Sequence, residues 1–142
     1  GVAIVGFKLG DRGLYLRTGE TPVLETMGAA RPCCPSAWAG KELWAPCFRV
    51  DVAGTTGAGD ATVAGFLAAM LRDLPVEEAL TMAVAVGACN VEAADALTGV
   101  RSWDDTVRRV KDGWMRHELT FDAPGWFYDE CEQLWRRASE TI

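Results

Sequence analysis

The sequence lacks any apolar run approaching the roughly 20 residues a membrane-crossing helix needs, and it has no basic leader followed by an apolar stretch. Neither a membrane partner nor secretion is expected. A basic excess is also missing. Fourteen Lys and Arg stand against 20 Asp and Glu, a net charge of −6 without long runs, which argues against nucleic-acid binding through a basic surface. Cysteine occurs five times, at 33, 34, 47, 89 and 131, an odd number with no C-x-x-C spacing. Without a secretion signal these read as reduced thiols in a cytoplasmic protein. Histidine occurs once, at His117, far in sequence from Cys33, Cys34 and Cys47, so no metal-binding residues are assigned. No repeat or low-complexity segment is visible, and the chain opens without Met, inside the apolar stretch Val2–Phe7.

Its 142 residues, 49% of them apolar, suit one packed domain. The most informative stretch is Gly54-Thr55-Thr56-Gly57-Ala58-Gly59-Asp60, which runs into the apolar helix pattern Ala61–Leu71. Glycines permit a sharp turn and close approach to a ligand. A helix N-terminus offers unpaired amides and the positive end of its dipole, a natural seat for phosphate. Gly54 and Gly59 have Walker-loop spacing, but Asp60 and Ala61 stand where Lys and Ser or Thr belong, which disfavours a P-loop NTPase. Thr62 stands where a dinucleotide fingerprint needs its third glycine. The reading that uses every residue is a phosphotransferase. In it, backbone amides of Gly57, Ala58 and Gly59 form an anion hole and Asp60 accepts the proton of the attacking hydroxyl. The plainer alternative for Asp60 is a helix cap.

Residues Val52–Leu67 resemble the C-terminal signature of the ribokinase-like (PfkB-type) carbohydrate kinases, D-T-T-G-A-G-D-x-F-x-A-G-F. Lys8-Leu9-Gly10-Asp11-Arg12-Gly13-Leu14 is similar to that family's T-x-G-x-x-G element, and Leu74–Val100 resembles the helix and loop on its adenine side. The resemblance spans about residues 1–115 and implies an α/β ribokinase-like sandwich of which this is the C-terminal part. It also implies ATP as phosphoryl donor with magnesium carried by the nucleotide, and a sugar or sugar-like alcohol as the small-molecule acceptor. Asp60 is then the catalytic base, Gly57, Ala58 and Gly59 the anion hole, and Lys8, Gly10 and Gly13 nucleotide contacts.

Three departures matter. Gly54 replaces the first Asp of the signature, Asp95-Ala96 stands where many relatives have Gly-Ala, and Gly99 offers no side-chain ligand. Together they weigh against activation by a monovalent cation. The family's sugar-recognising residues, N-terminal glycine pair and lid would precede residue 1. The expectation is therefore a single nucleotide-binding, catalytic domain over 1–142 without its substrate-binding part, inactive alone and prone to self-association through the Val2–Phe7 strand. The alternative is a non-catalytic interaction or regulatory domain on a degenerate kinase fold.

The patterning predicts strands at Val2–Lys8 and Leu14–Arg17, a third over Thr21–Met27, and a strand Phe48–Val52 feeding the glycine turn. Ala30–Pro46 reads as a loop anchored by Trp38 and Trp44. Four helices are predicted: Asp60–Arg72, Val76–Ala94, one capped by Ser102 and Asp105, and a last one opened by Asp122 and Pro124. The third carries Val107, Val110, Trp114 and Met115 on one face. The fourth carries Phe127, Cys131, Leu134, Trp135 and Ala138 on one stripe, with Arg136 and Arg137 at a solvated end. Trp126, Phe127, Tyr128 and Trp135 read as packing residues, not as a ligand cage.

Overall fold

Residues 1–138 are described by a computed structural model. Strand β1 (Ile4–Lys8) and strand β2 (Leu14–Thr18) form an antiparallel hairpin in register Ile4↔Thr18 to Lys8↔Leu14, turned by a short 3-10 segment at Gly10–Arg12. Two short helices, α1 (Thr21–Glu25) and α2 (Pro35–Trp38), lead to strand β3 (Glu42–Ala45). Helices α3 (Ala58–Met70), α4 (Val76–Asn90) and α5 (Trp103–Lys111) follow, then a hairpin of β4 (Trp126–Asp129) and β5 (Leu134–Arg137). The five strands form one antiparallel sheet in the order β1-β2-β3-β5-β4.

Strand alternation divides the sheet into two unlike faces. Leu14, Leu16, Leu43, Ala45 and Leu134 are buried in the core that the helices share. Helix α4 packs on β2 and β3 and carries no charge after Glu78, as suits a helix buried almost all round. Helix α3 packs on α4 through small residues. An added Cβ at Gly65 would meet Val86 at 2.9 Å, and one at Gly87 would collide with Thr62. The other face carries a cross-strand aromatic row, Tyr15↔Trp44↔Trp135↔Tyr128. Phe121 covers it, 4.9 Å from the Trp44 ring and 4.6 Å from Trp135.

Several sequence expectations are corrected here. Thr21–Glu25 is a helix, not a strand, because Pro22 sits in its first turn with the fixed φ a helix start needs. The expected loop Ala30–Pro46 contains α2 and β3, whose four residues alternate half-buried and buried against β2. Phe48–Val52 joins no sheet. Among its residues only Phe48 makes a β-bridge, to Arg116, and the segment lines a cavity instead. The fourth helix is the β4–β5 hairpin. Asp129 Oδ1 accepts from the amides of Cys131 (3.1 Å) and Glu132 (3.2 Å), and Gln133 takes φ 53°, which turns the chain back. Arg136 and Arg137 are not a solvated helix end. Arg136 pairs with Glu77 (2.8 Å) and Asp129 (2.9 Å), and Arg137 with Glu42 (3.2 Å).

Helix α5 opens as expected. Ser102 Oγ accepts from the Asp105 amide at 3.2 Å and donates to its carboxylate at 2.6 Å. It ends earlier than the apolar stripe implies, so Trp114 and Met115 lie beyond it, after Gly113 at φ 86°.

Candidate active site

Helix α3 begins at Ala58, two residues before its expected start, so Ala58, Gly59 and Asp60 form its first turn. The cap is Gly57 at φ 74°, a left-handed conformation that costs an L-residue about 1–2 kcal/mol. A Cβ there would also lie 2.9 Å from Ala96. The Asp60 side chain makes no capping bond, so a cap role does not account for it. Ala58 N–H donates to the Thr55 carbonyl at 3.2 Å. The Gly59 and Asp60 amides have no helical acceptor at this end and no other partner among the described residues. Gly59 faces open space, and Asp60 is exposed.

The loop after α4 braces this turn. The amides of Ala53 and Gly54 both donate to the Val91 carbonyl, at 2.8 and 3.2 Å. A Cβ at Gly54 would come within 2.8 Å of the Ala94 carbonyl, so the position where the family signature has Asp leaves no room here for a side chain. Asp95 satisfies its own loop. Its Oδ1 accepts from the amides of Leu97 (2.8 Å) and Thr98 (2.7 Å), and its Oδ2 from the Thr98 hydroxyl. These bonds lower its pKa to about 2, the Thr98 hydroxyl contributing most. Buried Asn90 donates through Nδ2 to the Ala96 carbonyl at 2.7 Å.

A cavity of about 250 Å³ lies between this turn and the turn that joins β1 to β2. Thr55, Ala58 and Thr62 line one end. Val84, Gly87 and Ala88 of α4 and Val91 just after it form the floor, with Leu14, Phe48 and Val50 adding apolar surface. Lys8, Gly10, Asp11 and Gly13 form a wall with Cys47 and His117. The cavity thus brings Lys8, Gly10 and Gly13 together with Ala58. Gly57, Gly59 and Asp60 lie at the same helix end but do not line it. Burial pushes the Cys47 thiol up, opposed by the nearby charges of Lys8 and Arg116, and its Sγ reaches the Gly10 carbonyl at 3.4 Å.

The contributions of Cys47, Phe48, Val50, Thr62 and His117 were missed by sequence reasoning. The alternation of residues 48–52 points to a strand feeding the turn, and a lone His117 far from Cys33, Cys34 and Cys47 carries no signal for this cavity. Thr62 carried a readable signal, a polar residue on the apolar face of α3. It is buried, with its hydroxyl donating to the Ala58 carbonyl at 2.7 Å.

A motif shared across proteins now settles the lineage. The model of the pfkB family carbohydrate kinases matches residues 4–103, which include both the glycine turn and the Lys8–Gly13 wall. The chain belongs to this family. A nucleoside kinase of Methanocaldococcus jannaschii is 33% identical over 72 residues, covering 50% of this chain and 24% of that protein. The crystal structure of a nucleoside kinase from that organism, an archaeal member of the ribokinase family, superposes with a TM-score of 0.60 at 25% identity over 78% of this chain. The aminoimidazole riboside kinase of Salmonella enterica, solved with aminoimidazole riboside and an ATP analogue, gives 0.56 at 32% identity over 76%. The chain spans 31% of each of these two solved structures. The fold is therefore a partial ribokinase-like α/β arrangement. Among the described residues no helix is long and apolar enough to cross a membrane, and no cluster of three His, Cys, Asp or Glu side chains forms.

Proposed function

We propose that this pfkB-family chain carries the nucleotide-binding and catalytic centre of an ATP-dependent kinase acting on a hydroxyl of a sugar or sugar-like small molecule. The observation that carries the proposal is the first turn of α3. Two unpartnered amides and a free carboxylate, Asp60, stand together beside an apolar cavity walled by Lys8, Gly10 and Gly13. A cavity with an apolar floor and few polar groups suits a nucleotide base, and an open helix end beside it suits the phosphates.

In the proposed reaction the acceptor oxygen attacks the γ-phosphorus and its proton passes to the Asp60 carboxylate. The bond from the γ-phosphorus to the β–γ bridging oxygen breaks, and ADP leaves. The amides of Gly59 and Asp60 meet the negative charge on the transferring group, in a turn that Gly57 and the 93–98 loop hold rigid. Ala58 contributes as the first residue of that turn, its own amide being bonded to Thr55. Lys8, on the wall it shares with Cys47, adds a positive charge to the nucleotide site. Magnesium would arrive with the nucleotide. The close packing of Gly54 on Ala94 and the self-satisfied Asp95 loop support a turn that needs no monovalent cation to hold it.

The activity, acceptor and cytoplasmic setting are proposals for the whole protein in which the chain functions. The direct experiment is Asp60→Asn in that protein, assayed for phosphoryl transfer over a panel of sugars and nucleosides. The expected outcome is a loss of about 10²–10⁴ in kcat with ATP affinity unchanged or slightly improved. Near-normal kcat would remove Asp60 as the base and the mechanism with it.

A further inference from the structure

The family match ends at residue 103 and α5 ends at Lys111, yet the chain after α5 returns to the cavity. Residues 115–117 lie antiparallel to residues 47–49. Arg49 N–H donates to the Met115 carbonyl and His117 N–H to the Cys47 carbonyl, both at 2.8 Å, with Phe48 and Arg116 forming the bridge between them. The neighbours of His117 are fixed firmly. Arg116 donates to the Pro46 carbonyl (2.9 Å) and the Thr81 hydroxyl (2.8 Å) and lies over the Phe48 ring at 4.3 Å. Trp114 stacks on the Phe48 ring, centroids 4.4 Å apart, and its Nε1 donates to the Arg49 carbonyl at 2.9 Å. His117 itself is exposed, at the wall formed with Gly10 and Cys47.

Position along the cavity assigns this wall a role. The glycine turn, with Thr55 and Ala58, is the end suited to phosphate. The chain from Cys47 to Thr55 runs along the cavity, touching it at Phe48, Val50 and Val52, so Cys47 and His117 stand at the far end. A nucleotide with its phosphates at the turn presents its base there, against apolar lining that includes Leu14 and Val50. An imidazole supplies one donor and one acceptor in its neutral form, the complement of a purine edge. We propose that His117, on a segment beyond the family-matched residues, contacts the base of a purine nucleotide and helps set nucleotide specificity. The inference rests on the nucleotide reading of the cavity.

The test measures binding of ATP and of inorganic tripolyphosphate, which has no base, by calorimetry on the protein carrying this chain and on its His117→Ala and His117→Asn variants. Cys47 serves as a local reporter, its alkylation by iodoacetamide followed by peptide mass spectrometry. In the unmodified sequence ATP should slow alkylation of Cys47. ATP that binds without protecting Cys47, or that does not bind, overturns the nucleotide reading of the cavity itself. Given protection, His117→Ala should weaken ATP by about fivefold, the worth of one neutral hydrogen bond. Tripolyphosphate affinity should stay unchanged, and His117→Asn should recover part of the loss. Unchanged ATP affinity in His117→Ala overturns the His117 assignment alone, as does an equal loss for ATP and tripolyphosphate.

Discussion

The glycine turn at residues 54–60 and the hairpin at residues 126–137 are built on opposite principles. In the turn, the groups that act come from seven consecutive residues, with the loop after α4 bracing them. The left-handed Gly57, the open Gly59 and the Asp60 carboxylate follow one another along the chain, and the helix dipole follows from what comes next. The hairpin's turn is local, held by Asp129 and Gln133, but its place in the molecule is not. Trp135 faces Trp44, Arg136 reaches Glu77, and Arg137 reaches Glu42, each partner more than fifty residues away. A site written locally can be tuned residue by residue. An element held by distant partners stands or falls with the sheet it joins.

That contrast has a direct mechanical test in the core of the hairpin. Leu134 is fully buried on the helix face of β5. Leu134→Ala removes its packing and leaves a cavity, and should destabilise the folded chain by about 2–5 kcal/mol in denaturant titration. The transition should remain single when followed by both tryptophan fluorescence and far-ultraviolet circular dichroism. Two separated transitions, with the first confined to the aromatic signal, would make the hairpin an independent appendage and break the comparison.

The same contrast explains what could be read in advance. The turn, the Lys8–Gly13 wall and the start of α5 were legible because glycine, Asp60 and the Ser102–Asp105 box act within a few residues of themselves. In the sequence alone the hairpin reads as a helix, because Phe127, Cys131, Leu134, Trp135 and Ala138 fall on a helical stripe. Pairing with β3 overrode that period, and pairing is invisible in one segment taken alone. For β3, a four-residue strand between Gly40 and Pro46 looks like loop until β2 lies beside it. Phe48–Val52 failed in the reverse direction. It alternates like a strand, but its neighbours are a cavity and residues 115–117. His117 reached the site by that tertiary route, and neither spacing nor composition announced it.

A smaller change in stability, with a larger one in function, is expected at the turn. Gly57→Ala places a side chain in a left-handed conformation and against Ala96, at a cost of about 2 kcal/mol. The chain should still fold, because the strain is local to the start of α3. Phosphoryl transfer should fall by far more than the stability loss implies, since the amides of Gly59 and Asp60 would no longer be aimed. Comparing the denaturant midpoint with kcat separates the two effects. A variant with full activity and unchanged stability would show that this turn tolerates an L-residue and is not the rigid half of the comparison.

The smallest expected effect lies in the loop that braces the turn. Asp95 is fully exposed, and its carboxylate accepts only local bonds, from the amides of Leu97 and Thr98 and from the Thr98 hydroxyl. Those bonds depress its folded pKa from 3.8 to about 2. A depressed carboxylate contributes stability that is present above the unfolded value and is lost as pH falls through the folded one. The window is therefore about pH 4 down to about pH 2, and nothing should change at this loop near neutrality. Side-chain carboxyl shifts followed by nuclear magnetic resonance should give Asp95 a midpoint near 2, and Thr98→Val should move it upward by removing the largest contributor. Gly54 and Ala96 amide signals should shift in the same window, because the loop touches the turn there. An Asp95 midpoint near 3.8 would mean that the loop is not held by its own carboxylate, and that the rigidity assigned to this side of the molecule comes from the packing of Gly54 and Gly57 alone.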